Sequence, residues 1–293
     1  MTNANERAWE PSGWEAVPCP YCGSQERRLY ERFGWNLRFT YVTCLGCGLV
    51  YQSPRPVYGA ETLQSYENYH SIHDFQAATD EQKKSWVASL QPVVDEILTF
   101  DSRRTGLLDV GSNTGLFLRA AKPHFARVAG VEIGTKMRAM VEKDLGVKVF
   151  ADYATLPREE RFSCIHMSHV IEHIPNPSAW LTKARELLIP GGLLVIAVPN
   201  ILSLDRRLKL MLKRAGLRRG EWSDPMRTPD HLFEPTIPAT MRFLDAHGID
   251  VVSRYTYSRS DEASLKPFSR IYRRRLLLGA NSRFYARVRS APR

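Results

Sequence analysis

Four cysteines near the N-terminus have the spacing of a metal site. They form two Cys-x2-Cys pairs separated by 21 residues, and the thiols belong to Cys19, Cys22, Cys44 and Cys47. Four thiolates at this spacing are the usual ligands of a structural zinc ion. Two disulfides are the alternative, which a polar N-terminus without a secretory signal pattern disfavours. The pattern predicts a small zinc ribbon over residues 18–53, whose complete coordination leaves no position for a reacting molecule.

A second group of candidate residues lies in the stretch 107–118, where an apolar run, a glycine turn and an apolar helical stripe follow one another. Asp109 stands near the end of the predicted strand, and Gly111 and Gly115 bracket the turn. Such a turn brings a ligand against bare backbone at the start of a helix, where N–H groups without helical partners are available. The stretch therefore predicts the binding site of a nucleotide-like molecule.

The acidic residue at the strand end indicates which molecule fits. A dinucleotide fingerprint, G-x-G-x-x-G, would need glycines at the positions of Asn113 and Leu116. Asp109 would repel a pyrophosphate, whereas it would attract a cation. A second acid, Glu132, ends the next apolar run and can accept hydrogen bonds from both hydroxyls of a ribose. S-adenosylmethionine carries an ammonium group, a sulfonium and a ribose, and it fits both acids.

These residues resemble the class I S-adenosylmethionine-dependent methyltransferases, whose first motif is commonly D-x-G-x-G-x-G. Asn113 stands where that motif has its middle glycine, and asparagine tolerates left-handed backbone angles better than most residues. The resemblance implies S-adenosylmethionine as the cofactor. It assigns cofactor binding to Asp109, Gly111, Ser112, Asn113, Gly115, Glu132, Asp152, Tyr153 and His169.

Further candidates lie in later segments that also resemble this family. An acid at the position of Asp152 accepts from the adenine amino group in the family, and a plain turn residue is the alternative. The segment 168–177 matches the family pattern V-L-E-H-x-x-x-P with one conservative change. It contains His169, expected to line the cofactor or substrate pocket, and His173, four residues on, the spacing of one helix face. His231 is the first candidate for a catalytic base, because a neutral imidazole can take a proton from a hydroxyl. A loop histidine that caps the next helix is the alternative.

Strands and helices alternate between residues 105 and 199, with strands expected near 106–110, 127–132, 147–150, 162–167 and 192–198. This alternation predicts an α/β fold with helices on both faces of a parallel sheet. The resemblance implies a doubly wound, seven-stranded, mostly parallel Rossmann-like methyltransferase sheet. The expected domains are the ribbon, a helical linker and cofactor lid over 54–104, and a methyltransferase domain over 105–293 with a cap insertion at about 201–236.

Positive charge is concentrated in the last third of the chain. The net charge is +10, and residues 201–293 hold 20 Lys and Arg against 9 Asp and Glu. A basic amphipathic helix after residue 203 and the basic stretch 266–293 are candidates for contact with an anionic membrane, or simply for solvated faces. The longest apolar run is too short to span a bilayer. The expected location is the cytoplasm, with a peripheral membrane contact at its inner face as a further option.

These features predict a methyltransferase that acts at an oxygen atom of a small metabolite or saccharide, with phosphorylated and lipid-linked acceptors among the options. An RNA methyltransferase that uses the ribbon and the basic last third is the alternative, which the weak charge of the ribbon disfavours. Another alternative is a zinc-ribbon interaction protein with a degenerate cofactor fold.

Overall fold

The computed structural model describes residues 13–33, 37–57, 71–217, 231–258 and 272–289. The strands of this part of the chain are β1 (Trp14–Glu15), β2 (Arg27–Phe33), β3 (Phe39–Cys44), β4 (Val50–Gln52), β5 (Arg55–Pro56), β6 (Leu107–Val110), β7 (Val128–Val131), β8 (Lys148–Phe150), β9 (Phe162–Ser168), β10 (Leu188–Pro199), β11 (Phe233–Glu234), β12 (Ile249–Tyr257) and β13 (Asn281–Val288). The α-helices are α1 (Ser71–Ala77), α2 (Asp80–Phe100), α3 (Leu116–Ala121), α4 (Thr135–Leu145), α5 (Pro177–Leu187), α6 (Leu204–Arg214) and α7 (Ile237–Ala246). Short 3-10 turns cover Lys122–His124 and Ile171–His173, and a π-helical turn covers Tyr272–Leu276.

A seven-stranded sheet forms the centre of the fold, in the order β12-β13-β10-β9-β6-β7-β8. The strands from β10 to β8 run parallel to one another, and β13 is antiparallel to both of its neighbours. This topology confirms the predicted α/β sheet. The strand expected at 192–198 begins earlier, at Leu188, and its pairing with β9 is irregular between Leu188 and Leu193.

Two apolar cores cover the two faces of this sheet. Leu108 on β6 belongs to the core that contains side chains of α5 and α7. Leu107, its neighbour in sequence, belongs to the core that contains side chains of α2 and α3. Parallel strands buried on both faces appear in sequence as continuous apolar runs, which is why these strands are predictable. Cys164 on β9 is fully buried, and this burial raises the pKa of its thiol well above the ordinary value, as expected of an inert structural cysteine.

The helix α2 begins at a capping box and packs against the sheet. The Thr79 hydroxyl accepts a hydrogen bond from the N–H of Gln82 at 3.2 Å, and the Gln82 side chain accepts from the N–H of Thr79 at 2.8 Å. The buried side chains of α2 are Val93, Val94 and Ile97. Helices α1 and α2 thus occupy the later part of the predicted lid, whereas residues 58–70 of that segment lie outside the described residues.

The cysteine-rich segment contributes to a second, four-stranded sheet in the order β11-β4-β3-β2. Its outer strand β11 comes from the predicted cap, and Phe233 on β11 pairs with Tyr51 on β4. Tyr21, between the first two cysteines, stacks on Phe243 of α7 with ring centres 4.0 Å apart and packs edge-on against Phe233 at 5.2 Å. The ribbon therefore shares a sheet with the end of the predicted cap, and it shares a core with the cap and with α7. Local sequence patterns do not reveal this relation.

The basic segments have two different environments. No side chain of α6 is buried, whereas β13, from the basic stretch 266–293, lies inside the central sheet. Residues 218–230 of the predicted cap and 266–271 and 290–293 of the basic stretch lie outside the described residues. Within the described ranges, no helix combines the length and apolarity needed to cross a bilayer.

Candidate active site

The glycine turn after β6 has left-handed backbone angles at three positions. The angle φ is +75° at Gly111, +47° at Asn113 and +75° at Gly115. A β-carbon on Gly111 would lie 2.6 Å from Cγ2 of Val170, so the available space also requires glycine there. Asn113 adopts the left-handed conformation that asparagine tolerates. The turn is therefore formed even though one glycine of the family motif is replaced.

Asp109 lies near the carboxyl end of β6 and is 4% exposed. Its Oδ1 lies 2.8 Å from Nδ1 of His166, which stands directly opposite it on β9. An ionised carboxylate can only accept, so this contact places the imidazole hydrogen on Nδ1. The His166 ring also stacks on Phe117, with ring centres 3.8 Å apart. These contacts hold the buried carboxylate in one orientation.

Asp109 forms part of the wall of a cavity of about 720 Å³. The cavity brings together four of the predicted cofactor residues, namely Asp109, Gly111, Ser112 and Asn113. Other residues of the lining carry no sequence signal for a cofactor site, among them Phe75, Trp86, Phe117, His166, Ser168 and Arg283. The volume is within the range of sites that enclose a small molecule, roughly 300–1,000 Å³. The glycine turn and the acid thus open into a space large enough for a ligand.

Glu132 follows β7 and supports the same turn from the neighbouring strand. Its Oε2 accepts a hydrogen bond from the N–H of Asn113 at 2.8 Å, and its Oε1 accepts from the N–H of Gly134 at 2.8 Å. Burial raises the pKa of Glu132, and these backbone hydrogen bonds oppose that shift only in part. Each carboxylate oxygen has a second lone pair, so the contacts are compatible with ribose hydroxyls as additional donors. The ribose role of Glu132 remains a prediction.

Asp152 and Tyr153, after β8, have local partners. Oδ1 of the exposed Asp152 accepts from the N–H of Ala154 at 3.0 Å, which is the geometry of a turn residue. Tyr153 is buried against Trp180, with ring centres 4.7 Å apart, and burial raises the pKa of its hydroxyl. Neither residue lines the cavity beside Asp109. Their assignment to the adenine end of the cofactor remains a prediction.

His169 follows β9 with a left-handed backbone angle, φ +55°. The 3-10 turn that contains His173 begins only at Ile171, so the two histidines do not share the helix face that their spacing predicted. Nδ1 of His169 lies 3.2 Å from Oε1 of the buried Glu172, and Nε2 lies 3.2 Å from the Tyr257 hydroxyl. His169 is outside the lining of the cavity, although the preceding residue, Ser168, is part of it.

His231 lies in a cluster of ionisable groups beside this segment. Its Nδ1 is 3.0 Å from Oε1 of Glu234, and the rings of His231 and His173 are in edge contact at 4.9 Å. Burial opposes the ionisation of Glu234, but the hydrogen bond from His231 and nearby positive charge lower its pKa overall. Ligand atoms of Glu172, His173 and His231 lie within 4.8 Å of one another, close enough to hold a cation together. Motif spacing does not predict this cluster, because its members come from distant segments.

The ribbon sheet fixes the backbone of His231. The Tyr41 hydroxyl and the Gln52 side-chain amide both donate to the carbonyl oxygen of His231 at 2.6 Å. The next residue, Leu232, donates its N–H to the carbonyl oxygen of Glu172 at 2.8 Å. Two residues of the cysteine-rich segment, together with Glu172 of the 3-10 turn after β9, therefore position the candidate base.

The four predicted zinc ligands converge. Sγ of Cys19 lies 3.5 Å from Sγ of Cys47, and Sγ of Cys22 lies 3.5 Å from Sγ of Cys44; all four sulfur atoms are within 4.8 Å of one another. A disulfide would need about 2.05 Å, whereas thiolates around a tetrahedral zinc ion at about 2.3 Å stand somewhat under 4 Å apart. The site fits a structural zinc ion.

Comparison with known proteins identifies the class to which this fold and site belong. A family model described as "Methyltransferase domain" matches residues 80–253, which is more than half of the chain. The chain therefore belongs to the methyltransferase domain family. The matched region contains β6 to α7, including the glycine turn, Asp109, Glu132 and His231. It leaves out the four cysteines.

Individual relatives agree with this class. A ubiquinone biosynthesis O-methyltransferase from Dechloromonas aromatica is 28% identical over 117 residues, or 36% of this chain and 49% of the relative. The chain thus spans about half the length of the curated relatives it matches. An S-adenosylmethionine-dependent methyltransferase structure from Clostridium acetobutylicum has a TM-score of 0.50 at 11% identity, over 77% of this chain and 100% of that one. A magnesium protoporphyrin IX methyltransferase from Synechocystis has a TM-score of 0.52 at 15% identity, over 79% and 100%. At these identities, the similarity to the structures concerns the fold.

Proposed function

We propose that the protein transfers a methyl group from S-adenosylmethionine to an oxygen atom of a small metabolite or saccharide. The observation that carries this proposal is the buried carboxylate of Asp109 beside a glycine turn, at the wall of a cavity of about 720 Å³ in a methyltransferase-family sheet. A buried acid at this position favours a cationic ligand over a dinucleotide. The zinc ion is structural in this proposal, since four thiolates fill its coordination shell.

The residues of the chain have distinct roles in the proposed reaction. S-adenosylmethionine would supply an electrophilic methyl group on its sulfonium sulfur. Asp109 would accept from the ammonium group, Glu132 from the ribose hydroxyls, and the backbone at Gly111 would allow close approach. Holding acceptor and methyl group in line in the cavity would provide most of the rate enhancement. His231 would take the proton that the acceptor hydroxyl loses.

The contact between His231 and Glu234 supports this choice of base. Because Glu234 has a lowered pKa, it is ionised at neutral pH and accepts the hydrogen on Nδ1 of His231. Nε2 is then the nitrogen that can accept a proton, and the carboxylate stabilises the imidazolium that results. The pair has the arrangement of a base and its orienting acid.

Replacement of His231 by Asn is expected to lower kcat by about 100- to 10,000-fold, the usual contribution of a general base. Affinity for S-adenosylhomocysteine should stay within a factor of about three, because His231 is outside the cofactor cavity. Glu234→Gln removes the charge that stabilises the imidazolium, so the pKa of His231 should fall and the acidic limb of the pH–rate profile should move to lower pH. An unchanged profile in Glu234→Gln, or unchanged kcat in His231→Asn, would contradict the role of the pair.

The acceptor class is proposed from the name of the relatives and from the chemistry of the site. The relative from Dechloromonas aromatica is named an O-methyltransferase, and oxygen is the acceptor atom for which a histidine base is most useful. The test is incubation of the purified enzyme with a cell extract and methyl-labelled cofactor, followed by separation of RNA, lipid, glycan and soluble fractions. Label in soluble, glycan or lipid-linked molecules is expected. Label confined to RNA would contradict the proposed acceptor.

A peripheral membrane contact through α6 is part of the proposal. Leu204, Leu208 and Met211, spaced by four and three residues, are 54%, 48% and 60% exposed. The same helix also carries basic side chains, among them Arg206, Arg207, Lys209, Lys213 and Arg214. An exposed apolar stripe flanked by cations is the pattern of helices that lie on anionic lipid. This contact fits the predicted cytoplasmic location at the inner face of a membrane.

Leu208→Glu is expected to weaken binding to vesicles of phosphatidylglycerol by about tenfold or more, since it removes a leucine from the lipid contact and adds a repelled charge. Val252→Glu is the matched control, because Val252 is 46% exposed on the edge strand β12 and should leave vesicle binding unchanged. The measurement is co-sedimentation at low salt. Equal binding by both variants and by the wild type would rule out this face of α6.

A further inference from the structure

A buried arginine, which no sequence motif indicates, forms part of the wall of the candidate cofactor cavity. Arg283 lies on β13, the antiparallel strand beside β10, and is 6% exposed. It lines the same cavity as Asp109, Ser112 and Ser168. Arg287, on the same strand, donates to backbone carbonyl oxygens, and Arg289 pairs with Asp245 and Asp250 at the surface. Arg283 instead lines the cavity.

The guanidinium of Arg283 is held by aromatic side chains. Nη1 donates to the Tyr255 hydroxyl at 2.6 Å. Cζ lies 4.6 Å from the centre of the Tyr257 ring and 5.7 Å from that of Tyr255, within the range of cation–π contacts. These contacts fix the plane of the guanidinium and satisfy part of its hydrogen-bonding capacity.

Among the described residues, no acid is in direct contact with Arg283; the Glu96 carboxylate approaches it only through the Tyr255 side chain, with which both residues interact. No carboxylate of that part of the chain lies within 4.0 Å of its guanidinium nitrogens, and its buried Nε–H has no hydrogen-bond partner there. Two acids line the same cavity: Asp109 is paired with His166, and Asp74 is exposed on α1. A buried, permanently charged group without a counter-ion is unfavourable unless a ligand supplies one. Arg283 is therefore suited to an anionic group inside the cavity.

We propose that Arg283 binds the methionyl carboxylate of the cofactor, while Asp109, on β6 at the wall of the same cavity, accepts from the methionyl ammonium. This assignment rests on the proposed function. An acid and a guanidinium in one cavity complement the ammonium and the carboxylate of an α-amino acid. An acceptor with a single anionic group would pair with the guanidinium alone. The planar guanidinium also matches the geometry of a carboxylate.

The test is a comparison of two ligands and two residues by calorimetry. The ligands are S-adenosylhomocysteine and its decarboxylated analogue, which keeps the amine but lacks the carboxylate. The wild type should bind the first about 10- to 100-fold more tightly. Arg283→Gln should lose that preference by weakening only the carboxylate-bearing ligand, and Arg283→Lys should recover part of it.

Arg287→Gln is the matched control on the same strand, because its guanidinium donates to the carbonyl oxygens of Gly191 and Phe100 and does not line the cavity. It should keep the full preference. If Arg283→Gln weakens both ligands equally, or neither, the assignment is wrong. If Arg283→Gln does not fold, Arg283→Lys provides the test, and an undiminished preference for S-adenosylhomocysteine in that variant would overturn the assignment. Equal binding of the two ligands by the wild type would also overturn it. Failure of the wild type to bind either ligand would instead contradict the proposed function.

Discussion

Asp109→Asn is expected to weaken the binding of S-adenosylhomocysteine by about 10- to 100-fold, the loss of one charge-assisted hydrogen bond in a buried site. The substitution is nearly isosteric, and the amide oxygen can still accept from Nδ1 of His166. The fold should therefore be retained while the negative charge disappears. Alanine would be a poorer choice, because it would leave the buried imidazole of His166 without its partner.

The control for this prediction is Asp144→Asn. Asp144 forms an exposed ion pair with Arg119 and does not line the cavity, so the same change of chemistry should have little effect on affinity. The measurement is isothermal titration calorimetry, with thermal unfolding recorded for each variant. Equal affinity in the wild type and in Asp109→Asn would show that the carboxylate does not face the cationic end of the ligand.

The second large effect concerns the zinc site. Cys22→Ser is expected to abolish the binding of one zinc ion per chain and to lower kcat by at least 100-fold, although the cysteines lie outside the matched methyltransferase region. A structural zinc ion contributes about 10–16 kcal/mol to the folding of small domains that bind it. Without the metal, the hairpin of β2 and β3 has little apolar core of its own.

The loss of activity would follow from the contacts between the ribbon and the candidate base. Tyr41 and Gln52 hold the carbonyl oxygen of His231, and Tyr21 packs between Phe233 and Phe243. A disordered ribbon would release these contacts, whereas Asp109 and the glycine turn lie in the central sheet. Affinity for S-adenosylhomocysteine should therefore change much less than kcat. A loss of kcat with retained cofactor affinity would distinguish a positioning role of the ribbon from general unfolding.

Metal content, thermal unfolding, cofactor affinity and kcat should be measured together for this variant. Cys164→Ala is the matched control, because Cys164 is a buried cysteine of the central sheet and is not among the four clustered thiols. It should keep the zinc ion. A zinc-free protein with unchanged kcat would show that the ribbon does not position His231.

The parts of the site that the sequence predicts are those set by local spacing. Asp109, the glycine turn and the cysteine pairs each belong to a short segment in which residue types and intervals carry the chemistry. His166 and Arg283 were missed because only the register of the sheet places them. β9 sets His166 opposite Asp109, and β13 brings Arg283 to the cavity wall from the end of the chain.

The histidines depart from the sequence-based expectation for the same physical reason. The spacing of His169 and His173 is that of a helix, but a left-handed residue and a short 3-10 turn separate them. His231 lies beside His173 and Glu172 because Leu232 bonds to the Glu172 backbone and β11 pairs with the ribbon sheet. Contacts between distant segments depend on tertiary packing, which neither periodicity nor motif spacing contains.

The most direct test of the central claim is a crystal structure of the protein with S-adenosylhomocysteine. We predict that the ligand occupies the cavity bounded by Asp109 and Gly111, with its amino group within hydrogen-bonding distance of the Asp109 carboxylate and its ribose at Glu132. A ligand bound elsewhere, without contact to the carboxylate of Asp109 or that of Glu132, would contradict the account.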